Sequence, residues 1–187
     1  MGKIVVTEFV SLDGVVEAPG GGEDFKYAGW SFEFNRGEEG DKFKLDETTA
    51  SDALLLGRVT YEGFARSWPG REGEFADKFN TMPKYVVSTT LENPEWTNST
   101  VLEGDVAEQV ARLRDEHDGD VVVHGSPTLV QTLIEHDLVD ELRLMVFPVV
   151  LGSGKRLFGE TGDKKALQLA DSKTVGDGVT ILVYRPA

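Results

Sequence analysis

Leu54-Leu55-Leu56-Gly57-Arg58-Val59-Thr60-Tyr61-Glu62 is an apolar run that stops at a glycine, followed at once by an arginine, a threonine and the polar opening of a helix. A strand that feeds a helix N-terminus in this way leaves backbone N–H groups and the positive end of the helix dipole pointing at the junction, where an anion is favoured. Arg58 adds a planar, permanently charged fork suited to phosphate. A plain turn at Gly57 with a solvated Arg58 is the competing reading of these nine residues.

Further along, Asp120-Val121-Val122-Val123-His124 is a second short β-branched run, followed by Gly125-Ser126-Pro127-Thr128-Leu129 and a helical spacing to His136. Ser126 suits an N-cap, Pro127 the first helical position, and Gly125 a close approach of ligand to backbone. Ligands of open α/β sheets sit at the carboxyl ends of strands, so two such junctions can share one ligand with two phosphates. A third run, Pro83-Lys84-Tyr85-Val86-Val87-Ser88-Thr89-Thr90-Leu91, ends in hydroxyls that can meet phosphate or ribose, or can cap the next turn.

Outward from these junctions, the pattern predicts strands over Lys3–Val10, Ala53–Leu56, Tyr85–Ser88, Thr100–Leu102, Val121–Val123, Glu141–Phe147, Leu167–Val175 and Val179–Tyr184. Helices are expected over Asp41–Ser51, anchored by Phe43 and Leu45, and over Thr60–Trp68, Gly73–Thr81, Val106–His117 and Thr128–His136. The Asp-Gly pair within Gly176-Asp177-Gly178 signals a hairpin between the last two strands. The fold class is therefore α/β, a mixed and mostly parallel central sheet flanked by helices, with C-terminal antiparallel strands, and residues 1–187 read as a single domain. Between the first strand and the first helix runs a glycine-rich loop, Val15–Gly22, continuing through the aromatics Phe25, Tyr27 and Trp30. Such aromatics form either a lid over a planar ligand or a dock onto the core.

The chain has no cysteine, which excludes disulfides, thiolate metal sites and cysteine nucleophiles, and no metal site is expected. Its 19 Lys and Arg against 33 Asp and Glu give a formal charge of −14, which argues against nucleic acid and anionic membranes as partners. A phosphate-bearing ligand must then meet a local exception to this field, with Arg58 and Lys84 as candidates. No run reaches the length of a membrane span and the chain enters a strand directly after Met1-Gly2, so a cytoplasmic location is expected. The three histidines show no metal-ligand spacing, and His124 reads as a satisfied structural histidine.

Val10-Ser11-Leu12-Asp13-Gly14, Leu56–Glu62, Pro83–Ser88, His124–Leu129 and Leu138–Gly154 occur in one order along the chain. With these five segments it resembles the dihydrofolate reductase-like family, and most closely the stand-alone relatives of the reductase domain of bacterial bifunctional riboflavin-biosynthesis deaminase-reductases. The resemblance implies an NADPH-dependent reductase of a small C=N or C=O group, with a ribosylaminopyrimidine-like substrate. It also implies that Gly57, Arg58, Thr60, Ser88 and Thr89 hold the adenosine 2′-phosphate and its neighbour. Gly125, Ser126, Pro127, Thr128 and Leu129 would hold the pyrophosphate, and Val16 would lie near the nicotinamide. Asp13, Glu17 or solvent would supply the proton. The resemblance further implies a homodimer using the C-terminal strands and the segment Phe147–Leu151; buried core is the other reading of that run. The chain departs from the pattern in two places: no clear pterin-binding carboxylate stands near Trp30–Phe34, where Glu33 is nearest, and the zinc-binding deaminase segment is absent. The alternative function is a nucleotide-binding or interaction protein on the same fold without turnover.

Overall fold

The computed structural model describes all of Met1–Ala187. The chain runs β1 (Lys3–Ser11), a 3-10 turn (Trp30–Glu33), α1 (Gly37–Ala50), β2 (Ser51–Gly57), α2 (Arg58–Ser67), α3 (Glu74–Thr81), β3 (Lys84–Val87) and β4 (Ser99–Leu102). It continues with α4 (Val106–Glu116), β5 (Asp120–His124), α5 (Pro127–Glu135), β6 (Glu141–Phe147), β7 (Leu167–Val175) and β8 (Val179–Pro186). All eight strands share one sheet in the order β4-β3-β2-β5-β1-β6-β8-β7. Pairs from β4 through β6 are parallel, and β8 runs antiparallel to both β6 and β7.

The central strands are covered on both faces, which is why they read as unbroken apolar runs rather than as alternating ones. On one face Ile4, Val6, Leu55, Val121 and Val123 pack under Val110, Leu113, Val130 and Leu133 of α4 and α5. On the other, Leu54, Leu56 and Val86 meet Tyr61 of α2, Phe79 of α3 and Met82 just beyond it, together with Trp96. The third cluster joins β6 and β8 to the loop aromatics, with Trp30 edge-on to Phe147 at 5.4 Å between ring centroids. Trp30 is buried and its indole N–H donates to the Glu17 carbonyl, so this part of the aromatic loop docks on the core, while Phe32 stays exposed at its rim.

The β7–β8 hairpin turns through Gly176 and Gly178, both at positive φ. At Gly176 a side chain has no room, since a Cβ would meet the Asn35 carbonyl oxygen at 1.9 Å. That approach ties the hairpin to the entry of α1, where Asn35 and Asp177 exchange hydrogen bonds of 2.8 Å. Edge strand β7 is exposed along most of its length, and Asp171 and Lys173 stand on it as charged guards against unwanted pairing.

Helix α1 departs from the expected anchoring. It begins at Gly37 rather than Asp41, and its buried positions are Gly40, Lys44, Glu47 and Thr48, with Phe43 and Leu45 only partly covered. The reason is electrostatic: Lys44 and Glu47 pair with each other beneath β1, so burial follows the ion pair rather than the apolar side chains. No helix is long and apolar enough to cross a membrane.

Candidate active site

A cleft of about 1170 Å³ opens at the carboxyl ends of β1, β2 and β5. The sheet itself makes the opening. β1 pairs with β5 only as far as Thr7 opposite His124, whereas its pairing with β6 continues to Ser11 opposite Phe147. Beyond Thr7, therefore, β1 and β5 part, and this is the switch point where ligands of such sheets bind.

The two junctions meet there. The Ser126 hydroxyl accepts the Gly57 amide at 2.9 Å and donates to the His124 carbonyl at 3.0 Å, while the Thr60 hydroxyl accepts the Ser126 amide at 2.9 Å. Gly125 stands at φ +54, and a Cβ there would lie 2.9 Å from the Thr60 hydroxyl, so glycine permits the contact. The expected side-chain N-cap at Ser126 is corrected by this geometry: Ser126 is left-handed and its hydroxyl serves the neighbouring junction instead of its own helix. Pro127 does occupy the first turn. Neither α2 nor α5 has a side-chain cap, so their leading amides face the cleft without a protein partner from a capping residue. Gly57, Arg58, Thr60, Gly125, Ser126, Pro127, Thr128 and Leu129 all line this one space.

Arg58 lines both the cleft and a smaller recess beside it, which it shares with Ser88 and Thr89. Its guanidinium pairs with Glu62 one turn along α2 at 3.1 Å, with both side chains well exposed. An exposed pair of this kind contributes little, so a phosphate can displace the carboxylate. The recess also presents Glu92 and Glu103. The Ser88 hydroxyl accepts the Thr90 and Leu91 amides, so it also closes its own turn. Lys84 is corrected: it is fully buried, and its ammonium donates to the carbonyls of Asn80, Met82 and Thr97 at 2.6–2.9 Å. Burial lowers its pKa to about 8. It braces the α3–β3 connection and the entry to β4, and lines neither the cleft nor the recess.

Val16 is buried at the cleft wall, and Glu17 lines the cleft with Gly20, Gly21 and Gly22. The Glu17 carboxylate accepts the Lys155 amide at 2.8 Å. Asp13 does not line the cleft. Its carboxylate accepts from the Ser11 hydroxyl at 2.6 Å and from the amides of Leu151 and Gly152 at 3.1 and 2.9 Å. The Ser11 hydrogen bond, reinforced by those amides against a smaller burial effect, holds its pKa down to about 2. This corrects Asp13 as a proton source: it latches the loop after β6 and stays ionised. Glu33 is exposed and outside the cleft.

One acid that lines the cleft, Glu8, is masked in the sequence because it lies inside a strand run. Glu8 lines the cleft on β1 and is 4% exposed. On α1, Lys44 donates to the Thr7 hydroxyl at 2.8 Å and to the Glu47 carboxylate. Glu47 also meets Arg143, which binds Asp120 at 2.9 Å and Glu141 at 2.6 Å. Burial works to raise the Glu47 pKa, but Lys44, with lesser help from its other neighbours, holds it below the usual range. His124 packs edge-on against Phe79, and burial, with the Lys44 charge, lowers its pKa to about 3, so it is neutral at physiological pH. A period-two pattern would have marked Glu8 as the one polar residue on the inward face of Ile4, Val6 and Val10. No group of three or more acidic, histidine or cysteine side chains is arranged to hold a metal ion.

The family model described as the RibD C-terminal domain matches residues 2–181. The chain belongs to the RibD C-terminal domain family. Among the relatives of this RibD C-terminal domain are two uncharacterized proteins of Bacillus subtilis (strain 168). YyaP is 28% identical over 97% of the chain and 94% of its own length, and YwjB 30% identical over 98% of each. A crystal structure described as that of a "putative riboflavin biosynthesis protein" from Shewanella sp. PV-4 superposes with a TM-score of 0.79 at 21% identity, covering 99% of both chains. A pyrimidine reductase-like protein from Corynebacterium diphtheriae gives 0.63 at 13% identity, over 99% of this chain and 92% of the other. Dihydrofolate reductase from Enterococcus faecalis, solved with NADP(H), gives 0.58 at 16% identity, over 98% and 96%. The fold is thus dihydrofolate reductase-like.

Proposed function

We propose that residues 1–187 form a single reductase domain that uses NADPH to reduce a small C=N or C=O substrate, with a ribosylaminopyrimidine-like compound as the leading class. The observation that carries this reading is the pair of uncapped helix N-termini, α2 and α5, drawn together by the Gly57–Ser126 hydrogen bond at the ends of adjacent strands. Amides and helix dipoles directed at one point suit a pyrophosphate. Gly125 to Leu129 would hold that group. Arg58 and Thr60, with Ser88 and Thr89, would take the 2′-phosphate, and Val16 would lie near the nicotinamide. When bound, the reduced nicotinamide supplies the hydride; the chain orients the reactants and keeps water from them. A volume of about 1170 Å³ leaves room for a dinucleotide and a small substrate together.

Quenching of tryptophan fluorescence on titration with NADPH and NADH tests the reading. Trp68 lines the cleft and is the expected reporter. Binding of NADPH in preference to NADH is the expected result; no binding of either overturns it. Absorbance of reduced nicotinamide over a panel of carbonyl, imine and aminopyrimidine substrates then tests turnover. A homodimer is part of the proposal, supported by the exposed apolar side chains Leu12, Val150, Leu167 and Leu169 on the C-terminal side of the sheet and its loops. A monomer in light scattering removes it.

A further inference from the structure

We propose that Glu8 is the proton donor of this cleft: its carboxylic acid gives a proton to the nitrogen or oxygen of a C=N or C=O bond held between β1 and β5. The inference rests on the reductase reading and deepens it. Glu8 is the first residue of β1 beyond the last pair with β5, Thr7 opposite His124, so it stands where the two strands part and the cleft begins. It is almost wholly buried, yet its Oε1 has no hydrogen-bond partner in the protein. A buried polar atom left unpaired at the floor of a cleft is unusual and points to a partner that the protein does not itself supply.

The two acids that the sequence offers as proton sources are committed. Asp13 is held by Ser11, Leu151 and Gly152, and Glu17 by the Lys155 amide. His124, at the end of β5, is neutral. Across β1, Lys44 and Glu47 are occupied with each other and with Thr7, and Arg143 holds Glu47 from β6. Burial raises the Glu8 carboxyl well above the usual carboxylate range; the Lys44 charge and the Gly125 amide oppose this without reversing it. A general acid must enter the reaction protonated, and burial of Glu8 between the parted strands favours that form. In the step, a bound reduced nicotinamide would supply the hydride for a new C–H bond at the substrate carbon and would itself be oxidised. The π pair of the C=N or C=O bond takes the Glu8 proton, forming N–H or O–H. Glu8 is left as a carboxylate near the Gly125 amide and the Lys44 charge, and solvent returns its proton.

Glu8→Gln keeps the shape and a hydrogen-bond donor but holds no transferable proton. Infrared spectra of the whole protein at neutral pH should show a protonated-carboxyl C=O band that Glu8→Gln lacks. On the panel substrate that the wild type reduces, Glu8→Gln should lower kcat by about 10²–10⁴-fold while NADPH affinity stays within about twofold. The wild-type kcat should fall at alkaline pH as Glu8 ionises. Absence of the band, or wild-type turnover by Glu8→Gln, overturns the proposal while leaving NADPH binding intact. Failure of the wild type to bind NADPH instead overturns the reductase reading and the donation step with it, whatever the infrared band shows.

Discussion

The Ser126 hydroxyl joins the Gly57 amide across 69 residues of sequence at 2.9 Å, and this bond brings two helix N-termini to one cleft. Ser126→Ala removes the acceptor and leaves the Gly57 amide without its partner. Stability should fall by about 1 kcal/mol in urea denaturation, the usual net worth of such a bond. NADPH affinity should fall as well, because the spacing of the two junctions is released; an unchanged Kd by fluorescence titration would show that the bond does not set the site.

Arg58→Ala should weaken NADPH by about tenfold or more and leave NADH nearly unaffected, since a charged hydrogen bond is worth about 1.5–3 kcal/mol and only NADPH carries the 2′-phosphate proposed to meet Arg58. Because the Glu62 partner is exposed, folding stability should hardly change. Parallel titrations of both dinucleotides measure the difference.

Lys84→Met should behave in the opposite way. Three carbonyls lose the ammonium that satisfies them, and stability should fall by about 2 kcal/mol or more, with NADPH affinity unchanged. A loss of dinucleotide binding without loss of stability would return Lys84 to the site.

Asp13→Asn should loosen the loop from Val149 to Arg156, read as faster proteolysis there, and leave the pH profile of turnover in place. Asp13 contributes stability above its ordinary pKa of 3.8, and that contribution is lost as pH falls toward about 2.

The pH dependence of folding follows from two buried groups of opposite sign. Between about pH 6.5 and about pH 3 the unfolded chain binds a proton that folded His124 refuses, so stability should drop as pH falls through that window. Above the ordinary Glu8 value of 4.5 the unfolded chain loses a proton that folded Glu8 keeps, so stability should also drop as pH rises. Glu8→Gln should flatten the alkaline decline and leave the acid one. Urea midpoints measured across pH separate the two limbs.

How much was legible in the sequence differs by element. The β-branched run Val121–Val123 could be read directly, because a strand buried on both faces needs an apolar residue at every position. Gly57-Arg58 and Gly125-Ser126-Pro127 could be read because a strand-to-helix turn demands particular local chemistry. Helix α2 starts at Arg58 rather than Thr60, a difference that matters because it puts the guanidinium in the first turn, beside the cleft-facing amides. Trp30–Glu33 escaped notice as a 3-10 turn, since its aromatics carry no helical period and are ordered by docking on Phe147.

Local sequence thus determined the sheet-and-helix order, the hairpin at Asp177-Gly178 and the two glycine junctions, because each depends on neighbours along the chain. Only the tertiary structure decided what the charges do. Lys84 is enclosed by carbonyls, Asp13 is latched to a loop 138 residues away, and Glu8 is buried where β1 and β5 part, with one carboxyl oxygen unpaired. A charged side chain takes its role from desolvation and from the partners around it, and in this chain those partners come from distant elements that only folding brings together.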